Sequence, residues 1–267
     1  QNFIITIVVL FLGLIVGALV TTRLVRPVQE LTRKTEELAH GNLDVHVEPS
    51  TDDEIGTLAR SFNHMTEELR QKEKIKETFG KYVDPRIVEN LIDNEDAIAA
   101  KGERRVMTVF FSDMVGFSSI SEKLNPAELV DLINRYLTLA TQPIDAQGGV
   151  IDKYIGDAVM AFWGPPFTDD RDHARRACLA SLQQFEKLKE LNDALPGILG
   201  PEAPQVSIRI GLATGELLAG NIGSEQSRSF TVMGDTVNLA SRLEGANKQY
   251  GTRILTSQKT WQMAHEH

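Results

Sequence analysis

The hydrophobic pattern changes character along the chain, beginning with an apolar run. From Phe3 to Val20 every side chain is apolar except the hydroxyl of Thr6. A helix needs roughly 17–25 such residues to cross a bilayer, so residues 1–22 are predicted to form a transmembrane helix. A buried helix of a soluble protein would keep a polar stripe. A signal peptide would carry basic residues ahead of the apolar run, whereas Arg23 and Arg26 follow it and nothing charged precedes it. By the positive-inside rule everything after residue 23 is cytoplasmic. The expected setting is a lipid bilayer, as an inner (cell) membrane protein.

The next pattern is heptad-like. Leu24, Val28, Leu31, Thr35 and Leu38 are spaced 4, 3, 4, 3, and Ile55, Leu58, Phe62, Met65 and Leu69 are spaced 3, 4, 3, 4. Both are coiled-coil spacings. Pro27 falls near the start of the first helix, where its missing N–H costs little. Gly41-Asn42 ends that helix. Leu43, Val45 and Val47 alternate with polar residues in an extended connector, and acidic Asp52, Asp53 and Glu54 suit the start of the second helix. Two short heptad helices cannot bury their stripes alone, and dimerisation into a parallel four-helix bundle would bury them. The heptad continued through the charged stretch Arg70–Glu77 puts Lys72 and Lys76 at core positions. That stretch reads either as a weakened, switchable coil or as a solvated helix. Phe79 to Asp84-Pro85 and an amphipathic helix with Ile87, Val88, Leu91 and Ile92 follow.

From about Lys101 strands and helices alternate. Val106–Phe111 is a predicted buried strand, Ala127–Gln147 a helix opened by Pro126, and Val150–Tyr154 with Ala158–Trp163 a hairpin. A long helix is expected over Asp170–Leu195, strands over Val206–Thr214 and Glu216–Asn221, and a polar tip over Ser224–Ser229. Asp235 is a candidate N-cap for a helix to about Lys248, before a strand at Arg253–Thr256. This mixture points to an α+β sandwich with a ferredoxin-like core.

Composition narrows the picture. The 267 residues carry a net charge of −9, which argues against a nucleic-acid partner held through its phosphates. The single cysteine, Cys178, excludes an internal disulfide and fits a reducing compartment. The chain starts at Gln1 without Met and reads as a fragment whose upstream sensor region is missing.

The candidate chemistry begins with two aspartates. Asp113 lies in Phe-Phe-Ser-Asp-Met-Val-Gly-Phe-Ser, residues 110–118, and Asp157 in Asp-Lys-Tyr-Ile-Gly-Asp-Ala-Val-Met-Ala-Phe, residues 152–162. Each sits at or in an apolar β-type run, where an unpaired charge is expensive. Paired carboxylates beside a Gly-containing turn suit divalent metal and phosphate. Asn238 and Arg242, four apart on one predicted helix, share a face.

Two stretches resemble known families. Arg26-Pro27, the Gly-Asn-Leu-Asp-Val connector start at residues 41–45, and Asp53-Glu54-Ile55-Gly56 ahead of Leu58-Ala59-Arg60-Ser61-Phe62-Asn63 resemble a HAMP signalling domain. Phe111-Ser112-Asp113-Met114-Val115-Gly116-Phe117-Ser118, Lys153-Tyr154-Ile155-Gly156-Asp157 and Met233-Gly234-Asp235-Thr236-Val237-Asn238-Leu239-Ala240-Ser241-Arg242 resemble the catalytic domain of class III adenylyl cyclases. The expected layout is a transmembrane helix (1–22), HAMP domain and stalk (23–76), cyclase transducer segment (77–100) and catalytic domain (101–267).

The resemblance implies that Asp113 and Asp157 ligate two divalent cations, Mg²⁺ or Mn²⁺, and that Asn238 orients a ribose. It gives Arg242 to the α-phosphate, and Arg253 to another phosphate contact. The backbone N–H groups of Met114, Val115, Gly116, Phe117 and Ser118 are expected to cradle phosphates. Lys153 and Thr231 are expected to read the base. A lysine only donates, so it serves the N1 acceptor of adenine and not the N1–H of guanine. ATP is therefore the expected substrate, with a homodimer forming composite sites. Family members carry a further lysine in final strands, and this sequence stops at His267 before that region. The alternatives are a guanylyl cyclase and a catalytically silent dimerisation module.

Overall fold

The computed structural model describes residues 2–49, 51–80, 84–88, 102–201 and 203–265. The chain divides into two units, Gln1–Val83 and Asp84–His267.

In the first unit, α1 (Asn2–Val20) carries the apolar run and passes through a π-helical turn, Thr21–Val25, into α2 (Arg26–Ala39). Mean hydropathy reaches 3.1 along this helix, and that stretch is wholly exposed. Pro27 therefore lies inside a continuing helix and does not open one. Proline removes one i→i−4 bond. The π turn accommodates this, with the Arg26 N–H donating to the Thr21 carbonyl five residues back.

The connector turns Val45 and Val47 inward against Leu31, Ala59 and Phe62. Asn63 holds it in place: its side-chain oxygen accepts from the Val47 N–H at 2.9 Å and its amide donates to the Val47 carbonyl at 2.8 Å. Asp53 caps α3 (Glu54–Phe79), accepting from the N–H groups of Ile55 and Gly56. The charged stretch stays helical, with residues 71–78 exposed. Of the heptad positions, Leu31 and Phe62 are buried, while Leu24, Val28, Leu58, Met65 and Leu69 remain exposed on the single chain.

The second unit contains β1 (Glu103–Met114), α4 (Phe117–Ser121), α5 (Pro126–Ala146), β2 (Val150–Ile155), β3 (Ala158–Trp163), α6 (His173–Leu199), β4 (Ile208–Gly223), β5 (Arg228–Met233), α7 (Asp235–Tyr250), β6 (Ile254–Thr256) and α8 (Gln258–His265). The sheet order is β2-β3-β1-β4-β5, and β6 pairs parallel with β4. The run β1-α5-β2-β3-α6-β4 in this order is the ferredoxin-like α+β core. One face of the sheet packs Phe110, Val159, Trp163 and Ile208 against Tyr136 and Ile144 of α5 and Ala177 and Leu191 of α6. The other packs Met107, Val109, Phe162 and Val232 with Ala240 of α7.

Four details differ from the sequence reading. The strands expected on either side of Gly215 are one strand, because β1 pairs with β4 along its whole length, Met107 opposite Gly215. Gly215 also admits α7: a Cβ there would lie 2.4 Å from Thr236 Oγ1. Asp235 is the first residue of α7 rather than its N-cap, which is Gly234. Helix α6 begins at His173, after a turn, and α8 adds a helix beyond the last expected strand. The amphipathic helix around Ile87–Ile92 lies largely outside the described residues. Within them Ile87 is buried in the second core, and Arg86 donates to the carbonyls of Gly148 and Gly149.

Candidate active site

Asp113 stands near the C-terminal end of β1, and Asp157 lies in the turn between β2 and β3. The pairing of Ser112 with Val159 brings that turn beside the end of β1. Asp157 Oδ2 accepts the Met114 N–H at 3.2 Å. Burial pushes the Asp157 carboxyl up to about 6, and the charge of Asp113 adds to the effect. On its other side Asp113 meets Arg209, which stands opposite it in β4, with Nη2 3.5 Å from Oδ2. Arg209 Nε also donates to Glu244 Oε1 at 3.0 Å. The Glu244 carboxyl is raised by burial and by the charge of Asp113, against the pull of Arg209.

The result is a row of acids in which Asp157 lies beside Asp113 and one guanidinium, that of Arg209, bridges Asp113 and Glu244. Neither Arg209 nor Glu244 was picked out from the sequence. The available signal was a charged residue facing Asp113's strand from the alternating apolar run Val206, Ile208, Ile210.

Two facing carboxylates that repel each other fit a divalent cation, since Mg²⁺ is commonly held by one or two carboxylates together with substrate phosphates. Among the described residues there is no group of three or more His, Cys, Asp or Glu arranged to hold a metal by itself.

The loop after β1 offers fewer free N–H groups than its sequence suggests. Met114 donates to Asp157, and Val115 donates to the Ser207 carbonyl at 2.8 Å. Gly116, with φ of +73°, leads into Phe117 and Ser118 at the start of α4, where the first N–H groups have no intrahelical acceptor.

Lys153 lies on β2 and Thr231 on β5, the two ends of the sheet path. Both nevertheless reach Asp152, because β5 pairs only with the distal half of β4, from Leu218 to Gly223, and folds back toward β2. Thr231, 8% exposed, donates its hydroxyl to Asp152 Oδ2 at 2.6 Å. Lys153 Nζ is 3.4 Å from Asp152 Oδ1, its side chain 47% exposed and that of Asp152 fully buried. A register shift between Ile151 and Lys153 marks a bulge at Asp152.

Asn238 and Arg242 are exposed one turn apart on α7, on either side of buried Ala240. Arg253 is exposed just before β6, its carbonyl accepting the Ile210 N–H. The structure thus forms three groups: Asp113 with Asp157, Lys153 with Thr231, and Asn238 with Arg242. Among the described residues no hydrogen bond or ion pair joins one group to another.

Residues 100–267 match the adenylate and guanylate cyclase catalytic domain, and residues 19–71 match the HAMP domain. The chain is 34% identical over 268 residues to an adenylate cyclase of Anabaena cylindrica, covering 94% of this chain and 51% of that protein. It is 32% identical over 254 residues to adenylate cyclase 1 of Rhizobium meliloti, covering 95% and 36%. The chain therefore spans about half or less of these curated relatives. A crystal structure of an adenylyl cyclase from P. aeruginosa shares 35% identity and a TM-score of 0.57, over 62% of this chain and 84% of that one. A guanylyl cyclase crystal structure shares 37% and 0.56, over 62% and 81%. Spanning the motifs around Asp113, Lys153 and Asn238 and the sheet that carries them, this agreement shows that the chain belongs to the adenylate and guanylate cyclase catalytic-domain family and carries a HAMP domain ahead of that domain.

Proposed function

We propose that the chain is the membrane-anchored, HAMP-coupled part of an adenylyl cyclase that converts ATP to 3′,5′-cyclic AMP and pyrophosphate. The observation that carries this is the paired carboxylates Asp113 and Asp157 in the same domain as a lysine–threonine pair suited to adenine. The named adenylate cyclase relatives support the same substrate.

Asp113 and Asp157 are the residues that would hold two divalent cations, Mg²⁺ or Mn²⁺, which when bound assist ionisation of the attacking hydroxyl and neutralise the polyphosphate. The ribose 3′-oxygen forms a bond to the α-phosphorus as the bond from that phosphorus to the bridging oxygen of pyrophosphate breaks, and the hydroxyl proton is released. Asn238 orients the ribose. Arg242 faces the α-phosphate, where charge builds, and Arg253 adds a phosphate contact. Gly116, Phe117 and Ser118 offer backbone N–H groups. Lys153 donates to adenine N1, and Thr231 accepts from the 6-amino group.

Among the described residues no hydrogen bond or ion pair joins the three residue groups, and the exposed heptad stripe of α2 and α3 suits a parallel four-helix bundle of two chains. In the resulting homodimer the metal pair of one protomer would face the base, ribose and α-phosphate residues of its partner. The exposed α1 would cross the inner membrane and leave the catalytic domain in the cytoplasm. The proposed divisions are 1–22, 23–76, 77–100 and 101–267.

The test is a turnover assay on the whole chain in membranes with Mn²⁺, given ATP or GTP. Cyclic AMP from ATP that disappears in Asp157→Ala is the expected result. Cyclic AMP production that survives the substitution, or cyclic GMP as the main product, would overturn the reading.

A further inference from the structure

The two residues assigned to the base share one buried partner that the motifs did not single out. Asp152 lies between Ile151 and Lys153, where the register of β2 shifts against β3. In a regular strand, neighbouring side chains point to opposite faces. A bulge re-aims one of them, and here both Asp152 and Lys153 serve the same place. The Asp152 side chain has no solvent exposure, yet its carboxylate is compensated on both oxygens. Oδ2 takes the Thr231 hydroxyl at 2.6 Å. Oδ1 has no hydrogen bond and faces the Lys153 ammonium at 3.4 Å.

The direction of the Thr231 hydrogen bond has a chemical consequence. A free threonine hydroxyl both donates and accepts, and so discriminates poorly between a 6-amino and a 6-oxo group. A carboxylate only accepts. Once the Thr231 proton is committed to Asp152, the hydroxyl can present only lone pairs to a base. Lone pairs suit the 6-amino group of adenine and oppose the 6-oxygen of guanine. The 2.6 Å separation is that of a charge-assisted O–H···O⁻ bond, roughly twice the strength of a neutral one. The same carboxylate also holds Lys153, whose ammonium can serve an acceptor at N1 and not an N–H.

We infer that Asp152 is a specificity-determining positioning residue: it fixes Thr231 as an acceptor and orients Lys153 as a donor, so that the pair admits adenine and rejects guanine. This rests on the reading of Lys153 and Thr231 as the base-contacting residues. Asp152 itself touches no substrate in this scheme.

The isosteric change Asp152→Asn keeps the volume but offers Thr231 an amide that can itself donate, which frees the hydroxyl to donate to a 6-oxo group. Selectivity is read as the ratio of ATP to GTP affinities, by equilibrium displacement of a fluorescent adenine nucleotide from the whole chain, alongside the ratio of kcat/KM. The expected result is a fall of about tenfold in the ATP-to-GTP ratio, the worth of roughly one hydrogen bond, with the dimer and Tm retained. Thr231→Val, which removes the hydroxyl and leaves Asp152 in place, should lower the ratio comparably, and Thr231→Ser should hold it within about twofold.

Adding Asp152→Asn to Thr231→Val should cost less than the sum of the two, because both act through one contact. A ratio unchanged in Asp152→Asn, or equal losses for both nucleotides, would reduce Asp152 to a tie between β2 and β5 and overturn the inference. The cyclase reading fails separately, by absence of cyclic nucleotide from a wild-type chain that still prefers ATP in the displacement assay.

Discussion

Asp157→Asn should make the metal-free protein more stable while removing its response to metal. Burial and the neighbouring Asp113 raise the Asp157 carboxyl from an ordinary 3.8 to about 6. At about 1.4 kcal/mol for each pH unit, this displacement sets a ceiling of about 3 kcal/mol on the cost of ionising Asp157 in the folded chain. The carboxyl is partly open to solvent, and screening reduces that to about 1 kcal/mol. Because the folded value is the higher one, the folded state binds more protons than the unfolded state between 3.8 and about 6. Stability is therefore lost as pH rises through that window and stays lower above it.

An asparagine carries no charge at any pH, and its side-chain oxygen can still accept the Met114 N–H. At pH near 8 in chelator, the transition of the catalytic unit should thus rise by about 2–4 °C in Asp157→Asn. The gap should shrink as pH falls from about 6 toward 4. Adding Mn²⁺ should raise the wild-type transition by binding to the folded state and leave the variant unmoved. Thermal unfolding of the whole chain in detergent, with and without Mn²⁺, measures all three. A variant less stable than wild type in chelator at pH near 8, or stabilised equally by Mn²⁺, would refute the account of Asp113 and Asp157 as a strained pair built for a cation.

Two further outcomes are expected. Asp113→Ala and Asn238→Ala should each be inactive, but when co-expressed they should recover about a quarter of wild-type activity, since half of randomly paired dimers are mixed and each mixed dimer keeps one of two composite sites; no rescue in verified heterodimers would sink the shared-site arrangement. Burial pushes the His173 imidazole below its ordinary 6.5, where its Nδ1 meets Thr108 Oγ1 at 2.8 Å. Its contribution is thus full above that pH and is lost as pH falls below it, by at most about 1.4 kcal/mol per pH unit. The stability of His173→Gln should accordingly fall less steeply between pH near 7 and pH near 5, and parallel slopes in chemical denaturation would contradict this.

Much of the candidate site was legible because its chemistry is carried in short, contiguous motifs. Asp113, Asp157, Asn238 and Arg242 each sit in a run whose residue types are unusual for a plain strand or helix. The residues that escaped notice are those whose significance depends on a distant partner. Arg209 matters because register places it opposite Asp113. Glu244 matters because α7 lies close enough on β4 that a Cβ at Gly211 would fall 2.2 Å from the Glu244 nitrogen. Asp152 matters because β5 folds back onto β2. Asn63 stood in the HAMP-like motif, but its role as the clamp on Val47 appears only once the connector lies against it.

The break expected at Gly215 shows the limit in another way. A local rule reads glycine as punctuation, but a full-length partner strand and a threonine from α7 give this one a packing role.

The sequence alone determined the apolar helix, the heptad stripes and the alternation of strands and helices, and it named the candidate residues for metal, phosphate and base. These follow from periodicity and side-chain chemistry, which neighbouring residues carry among themselves. Only the tertiary structure decided which carboxylates face each other, which arginine lies against Asp113, and which buried aspartate turns a threonine hydroxyl into an acceptor. Those outcomes depend on strand register, a bulge and the fold-back of β5, each a sum of contacts between segments far apart in the chain, and no single stretch of sequence contains that sum.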